Sequence, residues 1–255
     1  MTSLLVGIAV DRGLIKDLDA PVFSFFPEYA DLRTPEKDRV TLRHLPTMSA
    51  GWEGAFTSPT YRLILERDLD KEPGHSSKYD SGSTELLAAF LQKVTGKSID
   101  VLAKEELFDP LGIVDVAWNR HLHNGYPKAS DGLEARPRDW AKLGQLVLNR
   151  GAWHGKQIVS SSCIDLSTTA AKSATTPHGN PSQLPYGFEW WLGRFYRDGR
   201  DIDWTAAMGS NSQKTIIAPV LNLVVVFNAS RESKQMVAPE IELLDQRILP
   251  AIVSQ

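Results

Sequence analysis

An α+β fold is what this sequence predicts, and three observations carry it. Apolar residues recur at helical spacing through the middle of the chain, the period changes from Tyr186 to short aromatic and β-branched runs separated by turn residues, and a helical pattern returns at the end. Helices gathered apart from consecutive strands point to an antiparallel sheet beside a helical region rather than alternating βα units.

The elements follow in order. In the opening "MTSLLVGIAVDRGLIKDLDAP", Leu4, Leu5, Ile8 and Ala9 share one helical face, Val6 and Val10 widen it, and Gly13 stands where a helix stops. Thr2 and Ser3 are N-cap candidates. The segment is apolar almost all round, so it demands protein on every side. It does not read as a secretory signal: no Lys or Arg precedes the run, no small-x-small site follows, and Asp11-Arg12 end it too early to span a bilayer. Pro21 and Pro27 make the next stretch irregular, up to "VTLRHLPTMSAGW". "STELLAAFLQKVTG" places Leu86, Leu87, Phe90, Leu91 and Val94 on one stripe and closes at Gly96. "IDVLAKEELFDPLGI" and "PRDWAKLGQLVLNRG" are helical in the same way, with Pro137 near a start and Gly151 past an end. "YGFEWWLG", "DIDWTAAMG", "QKTIIAP" and "LNLVVVFNAS" read as consecutive antiparallel strands, and "PEIELLDQRILPAI" as a closing helix.

Composition bounds the function. At 255 residues with 42% hydrophobic and 23% charged, the chain can bury a large core as one domain or two interleaved parts, a mainly helical 1–185 and a strand-rich 186–255 divided at the change of period. A net charge of -3 and the lack of a long basic run argue against a nucleic-acid partner. The single Cys163 excludes an internal disulfide framework. His121-x-His123 beside Asn124-Gly125 reads as a solvated turn, because no paired Cys or HExxH spacing supports a metal, and no cofactor is expected.

Several stretches together resemble the penicillin-recognising serine hydrolases: class C-type β-lactamases, D-alanyl peptidases, related esterases and 6-aminohexanoate-dimer hydrolases. They are "TSLLVGIAVDRGLIKDLDAP", "LRHLPTMSAG", "PGHSSKYDSGSTELLAAFLQKVTG", "LFDPLGI" with "GLEARPRDWAKLGQLVLNRGAWHGKQIV", and "AAMGSNSQKTIIAPVLNLVVVF", in family order over nearly the whole chain. The resemblance implies a β-lactamase/transpeptidase-like fold, an antiparallel sheet flanked by helices plus a helical region. It also implies a reaction on a small ester, amide or lactam through an acyl-serine intermediate.

That chemistry uses a Ser-x-x-Lys nucleophile helix, a Tyr that shares acid/base work with the Lys, and a strand whose backbone N–H helps bind the oxyanion. The resemblance makes Tyr79 the acid/base residue and puts Ser81 where the family usually has Asn, leaving a hydroxyl toward substrate. It places Ser210, Asn211, Ser212 and Gln213 where the family has Lys-Thr-Gly or a Gly-Gly run. Ser212 there narrows the approach and removes a fixed cation, while Gln213 still offers its backbone N–H. The rival reading of these residues is a turn before a strand.

No Ser in the 255 residues has a Lys three positions later, and no Gly-x-Ser-x-Gly elbow replaces it. Ser3-Leu4-Leu5-Val6-Gly7 matches the tail of the family's nucleophile helix, so the expectation is that Ser and Lys lie just upstream of Met1, together with strands that complete the sheet. The chain by itself is then expected to be inactive, to lack those N-terminal strands and to self-associate through an exposed sheet edge. A compartment signal would precede Met1, so the compartment stays open. The alternative is a non-catalytic relative that uses the cleft to bind a small carbonyl ligand or a partner. Trp190 and Trp191 are read as dividing between the two faces of a strand, one in the core and one partly exposed. Arg138 and Asp139 are read as structural.

Overall fold

The computed structural model describes residues 1–54, 60–122, 124–170, 184–209, 213–229 and 240–253. Helix α1 (Thr2–Asp11) buries Thr2 through Ala9 without a gap, which is the cover its all-round apolarity requires. It ends where the Arg12 N–H returns to the Ile8 carbonyl and Gly13 takes φ +69°. The stretch after it is irregular but not featureless: two 3₁₀ turns, Val22–Phe25 and Pro27–Leu32, deliver Val22, Phe23 and Phe26 to the core.

Helix α2 (Tyr61–Glu66) leads to α3 (Ser81–Thr95), capped by the Asp80 carboxylate at one end and by Gly96 in the left-handed region at the other. Helices α4 (Ile99–Ala103) and α5 (Asp109–Leu111) are joined by a π turn at Lys104–Phe108. Strands β1 (Val116–Trp118) and β2 (Leu133–Ala135) pair with each other. Helix α6 (Pro137–Leu148) has its proline in the first turn, and Asp139 is buried there against Arg136 and Lys142, so it is a structural residue. Strands β3 (Ala152–Trp153) and β4 (Lys156–Gln157) form a small hairpin before α7 (Ser161–Ser167).

The C-terminal sheet is a meander, β5 (Trp191–Arg197), β6 (Arg200–Met208), β7 (Lys214–Ala218) and β8 (Leu223–Phe227), every neighbouring pair antiparallel. The first strand begins at Trp191 rather than Tyr186, because Glu189 at φ +59° breaks the extended backbone. Trp190 is buried and Trp191 half-buried, the division expected of adjacent residues. Period two sorts the sheet. Ile217 and Trp190 share a core with α1, α3 and α6, whereas Ile216 and Ala218 meet the closing helices α8 (Glu240–Leu243) and α9 (Leu249–Val253) across a second π turn, Leu244–Ile248. Each π turn ends two residues before a proline, Pro110 and Pro250, whose missing N–H and bulky ring oppose a regular α-helical bond at that place.

Small residues set the close contacts. A Cβ on Gly144 would stand 2.7 Å from Val224 Cγ1, so its absence lets α6 lie on the sheet. One on Gly7 would stand 2.9 Å from Val159 Cγ1, and α7 sits against α1 there. His121 corrects the solvated-turn reading. Its ring nitrogen lies 3.3 Å from the buried Glu85 carboxylate, which also accepts from the Ala129 and Ser130 N–H groups and the Ser130 hydroxyl. His123 lies outside the described residues. Among the described residues no group of His, Cys, Asp and Glu could hold a metal, and no helix is long and apolar enough to cross a membrane.

Candidate active site

Tyr79 belongs to the extended segment that enters α3. Its backbone is fixed from the side of residues 47–49: the Lys78 N–H donates to the Met48 carbonyl at 2.7 Å and the Ser77 hydroxyl to the Thr47 carbonyl at 3.0 Å. The phenol ring stacks on Trp191 at 6.0 Å between centroids and 20° between planes, and Trp191 meets Tyr186 edge-on at 4.8 Å. Tyr79 keeps 40% of its surface exposed in this aromatic corner, whereas Tyr186 is buried.

The Ser81 side chain, at the start of α3, lies within reach of the Tyr79 phenol oxygen. Burial pushes the phenol above its ordinary value, the carboxylates of Glu189, Asp80 and Asp131 push in the same direction, and the Ser81 hydrogen bond opposes them. A phenol so placed is a proton donor at neutral pH. It becomes a base only beside a cation.

Glu189 was not legible as a site residue, and the structure puts it at the base of this corner. Its backbone takes φ +59°, a left-handed conformation that costs a non-glycine residue about 1 kcal/mol, and its N–H donates to the Pro46 carbonyl at 2.8 Å. The turn carries the side chain inward. One carboxylate oxygen accepts from the Ser3 N–H at 3.1 Å, the Thr84 and Thr2 hydroxyls lie against the group, and Oε1 is buried with no hydrogen-bond partner among the described residues. Burial pushes its pKa up, while the charge of the Met1 ammonium, and after it these hydrogen bonds, pull the other way. The start of α1, the first turn of α3 and the turn before β5 therefore converge on one buried carboxylate next to Tyr79. Ser3 itself is 4% exposed, with its hydroxyl buried and unpartnered.

Gln213 lies at the entrance to β7, away from these contacts. Its carbonyl accepts from the Gly209 N–H at 2.8 Å and its side-chain amide donates to the Ala229 carbonyl at 3.4 Å. Ser210, Asn211 and Ser212 lie outside the described residues. Next to Gln213, the Lys214 ammonium points to the opposite face of the sheet and pairs with buried Glu240 at 2.7 Å, so it offers the cleft no cation.

The β-lactamase family model matches residues 1–247. The chain belongs to the β-lactamase family. As a β-lactamase-family chain it is 27% identical over 207 residues to an uncharacterized protein of Alkalihalophilus pseudofirmus, covering 73% of this chain and 56% of that protein. It is 23% identical over 248 residues to the 6-aminohexanoate-dimer hydrolase of Paenarthrobacter ureafaciens, covering 87% of this chain and 62% of that one. The chain thus spans less than two thirds of the length of these curated relatives. A family VIII carboxylesterase has the same fold, with a TM-score of 0.76 at 16% identity over 99% of this chain and 80% of the other. The β-lactamase/transpeptidase-like architecture is therefore established, with its helices and antiparallel sheet.

Proposed function

We propose that this β-lactamase-family chain carries the acid/base tyrosine of a serine hydrolase that acts on a small ester, amide or lactam through an acyl-serine intermediate. The observation that supports it is Tyr79 at the entrance to α3, its ring stacked on Trp191 and the Glu189 carboxylate nearby, which accepts from the Ser3 N–H at the start of α1.

In that reading a serine hydroxyl attacks the substrate carbonyl, its proton passes through a lysine–Tyr79 pair to the leaving group, and water then attacks the acyl-serine carbonyl with Tyr79 as part of the base. The backbone N–H of Gln213 and that of the nucleophile stabilise the oxyanion in this reading. Tyr79, held as a neutral phenol, needs the lysine ammonium before it can take a proton. No Ser-x-x-Lys occurs in the 255 residues, and the buried Ser3 is no substitute. In this reading Tyr79 works only in a chain that also bears a Ser-x-x-Lys.

The run Asn211-Ser212-Gln213 in the place of Lys-Thr-Gly favours a second reading, a non-catalytic relative that binds a small carbonyl compound in the cleft. One comparison separates the two. In a chain carrying Ser-x-x-Lys before Met1, Tyr79→Phe keeps the ring and removes the proton, so hydrolysis of a p-nitrophenyl ester should fall by roughly 10²- to 10⁴-fold. Unchanged turnover would make Tyr79 a packing residue, and no turnover in the parent chain would favour the binding protein.

A further inference from the structure

We infer that Arg67 is a positioning residue for Tyr79, acting through a buried, two-pronged ion pair with Asp80, the residue next to the tyrosine. The inference rests on the reading of Tyr79 as acid/base residue, but its geometry stands apart from that reading. Arg67 Nη1 donates to Asp80 Oδ1 and Nη2 to Oδ2, both at 2.9 Å, with the two side chains 10% and 5% exposed. Asp80 Oδ2 also accepts from the Ser83 N–H at 3.0 Å and the Ser83 hydroxyl at 2.9 Å, so the same carboxylate caps α3. Arg67 is held in turn by the Ile64 carbonyl at the end of α2 and by the face of Trp52, 5.4 Å from its ring centroid.

Two further features let this pair bear on where Tyr79 stands, alongside the hydrogen bonds of residues 77 and 78 to Thr47 and Met48. Behind the segment lies a cavity of about 150 Å³ lined by Met48, Trp52, Ser76, Lys78, Asp80 and Ser83, so that side is incompletely filled. Alternation along the extended chain sends Ser76, Lys78 and Asp80 to this back side and Tyr79 to the cleft. Gly82 makes room for the pair: a Cβ there would stand 3.0 Å from Arg67 Nη2 and 3.2 Å from Ile64 Cγ2. The guanidinium fork fixes the plane of the Asp80 carboxylate, the carboxylate fixes the first turn of α3, and the peptide between them and Tyr79 has little freedom left. A lysine supplies the charge without the fork. A displacement of about 1 Å in an acid/base group can cost on the order of 10²-fold in rate, so such a brace matters for chemistry as well as for folding.

The test is ¹⁹F NMR of the 255-residue chain labelled with 3-fluorotyrosine, the Tyr79 line being the one lost in Tyr79→Phe. The variants are Arg67→Lys, Arg67→Met and Arg67→Met/Asp80→Asn, each checked for folding by circular dichroism. The double variant removes both buried charges, so it folds even where Arg67→Met, with a stranded carboxylate, does not. The expected result is a Tyr79 line shifted or exchange-broadened in Arg67→Lys and in the folded double variant, while the lines of the other tyrosines stay in place. A Tyr79 line at the parent position in the folded double variant would overturn the inference and reduce the pair to a staple between α2 and α3. Because this readout needs no turnover, it is distinct from the failure of Tyr79→Phe to affect hydrolysis, which would sink the acid/base role and leave the brace intact.

Discussion

Gly193→Ala probes the sheet that carries Trp191 to Tyr79. Gly193 lies directly across from Trp204 in the β5–β6 pair, and the indole covers it: an added Cβ would overlap Cζ2 and Cε2 and lie 2.6 Å from Cη2. Ordinary carbon contacts lie at roughly 3.5–4.0 Å, so the ring would have to withdraw by more than about 1 Å. It has little space to do so, being 4% exposed and packed on Phe195 at 5.8 Å between centroids. Overpacking of this kind costs about 1–3 kcal/mol, and replacing a strand glycine by alanine returns about 0.5–1 kcal/mol. The net loss should be about 1–2 kcal/mol, a fall in Tm of roughly 2–8 °C for a chain of this size. Thermal melts followed by near-UV circular dichroism report it, because the Trp204 band moves with the ring. A Tm within about 1 °C of the parent and an unchanged near-UV spectrum would refute the reasoning and show that the sheet yields freely at β5.

Burial holds the His44 imidazole below its ordinary value of 6.5, with Arg43 pushing the same way and Asp19 opposing, while Nδ1 accepts the Thr41 N–H at 3.0 Å. The folded state therefore favours the neutral ring, its contribution is complete above pH 6.5 and is lost as pH falls from there through the folded value, and His44→Asn should flatten the fall in urea midpoint between about pH 7.5 and 5.5. Equal slopes in the two proteins would contradict this. Strand β8 pairs only with β7 among the described residues and its five residues carry no charge, so the 255-residue chain should associate with a second copy through that edge. Sedimentation should show oligomers that Val226→Lys disperses; a monodisperse parent, or association that the lysine leaves unchanged, would refute edge pairing.

Much of the fold was written in periodicity. The all-round apolarity of residues 4 to 10 foretold a buried helix, and alternation foretold that one of Trp190 and Trp191 lies in the core and the other is partly exposed. A short motif singled out Tyr79 and Ser81, but not the stacking of the Tyr79 ring on Trp191, since the two lie far apart in the sequence and no local pattern links them. Glu189 was hidden for a different reason. An acid within "YGFEWWLG" reads as the solvent-facing member of a strand, and only the left-handed turn at that residue sends it inward. The Arg67–Asp80 pair was equally invisible, because its partners stand 13 residues apart in separate elements and no local pattern links them. The π turns could be located only afterwards: a proline marks where a regular helix fails, not whether the chain kinks, stops or widens.

The acyl-serine role is tested most directly by covalent labelling with a fluorophosphonate probe, the labelled peptide being identified by mass spectrometry. Two chains are compared, the 255 residues alone and the same residues preceded by the family's Ser-x-x-Lys turn, each with and without Tyr79→Phe. The expected result is one adduct on the serine of that turn, formed roughly 10²- to 10⁴-fold more slowly in Tyr79→Phe, and no adduct on the 255 residues alone. An adduct on any serine of the 255-residue chain, or labelling of the longer chain at an undiminished rate after Tyr79→Phe, would contradict it.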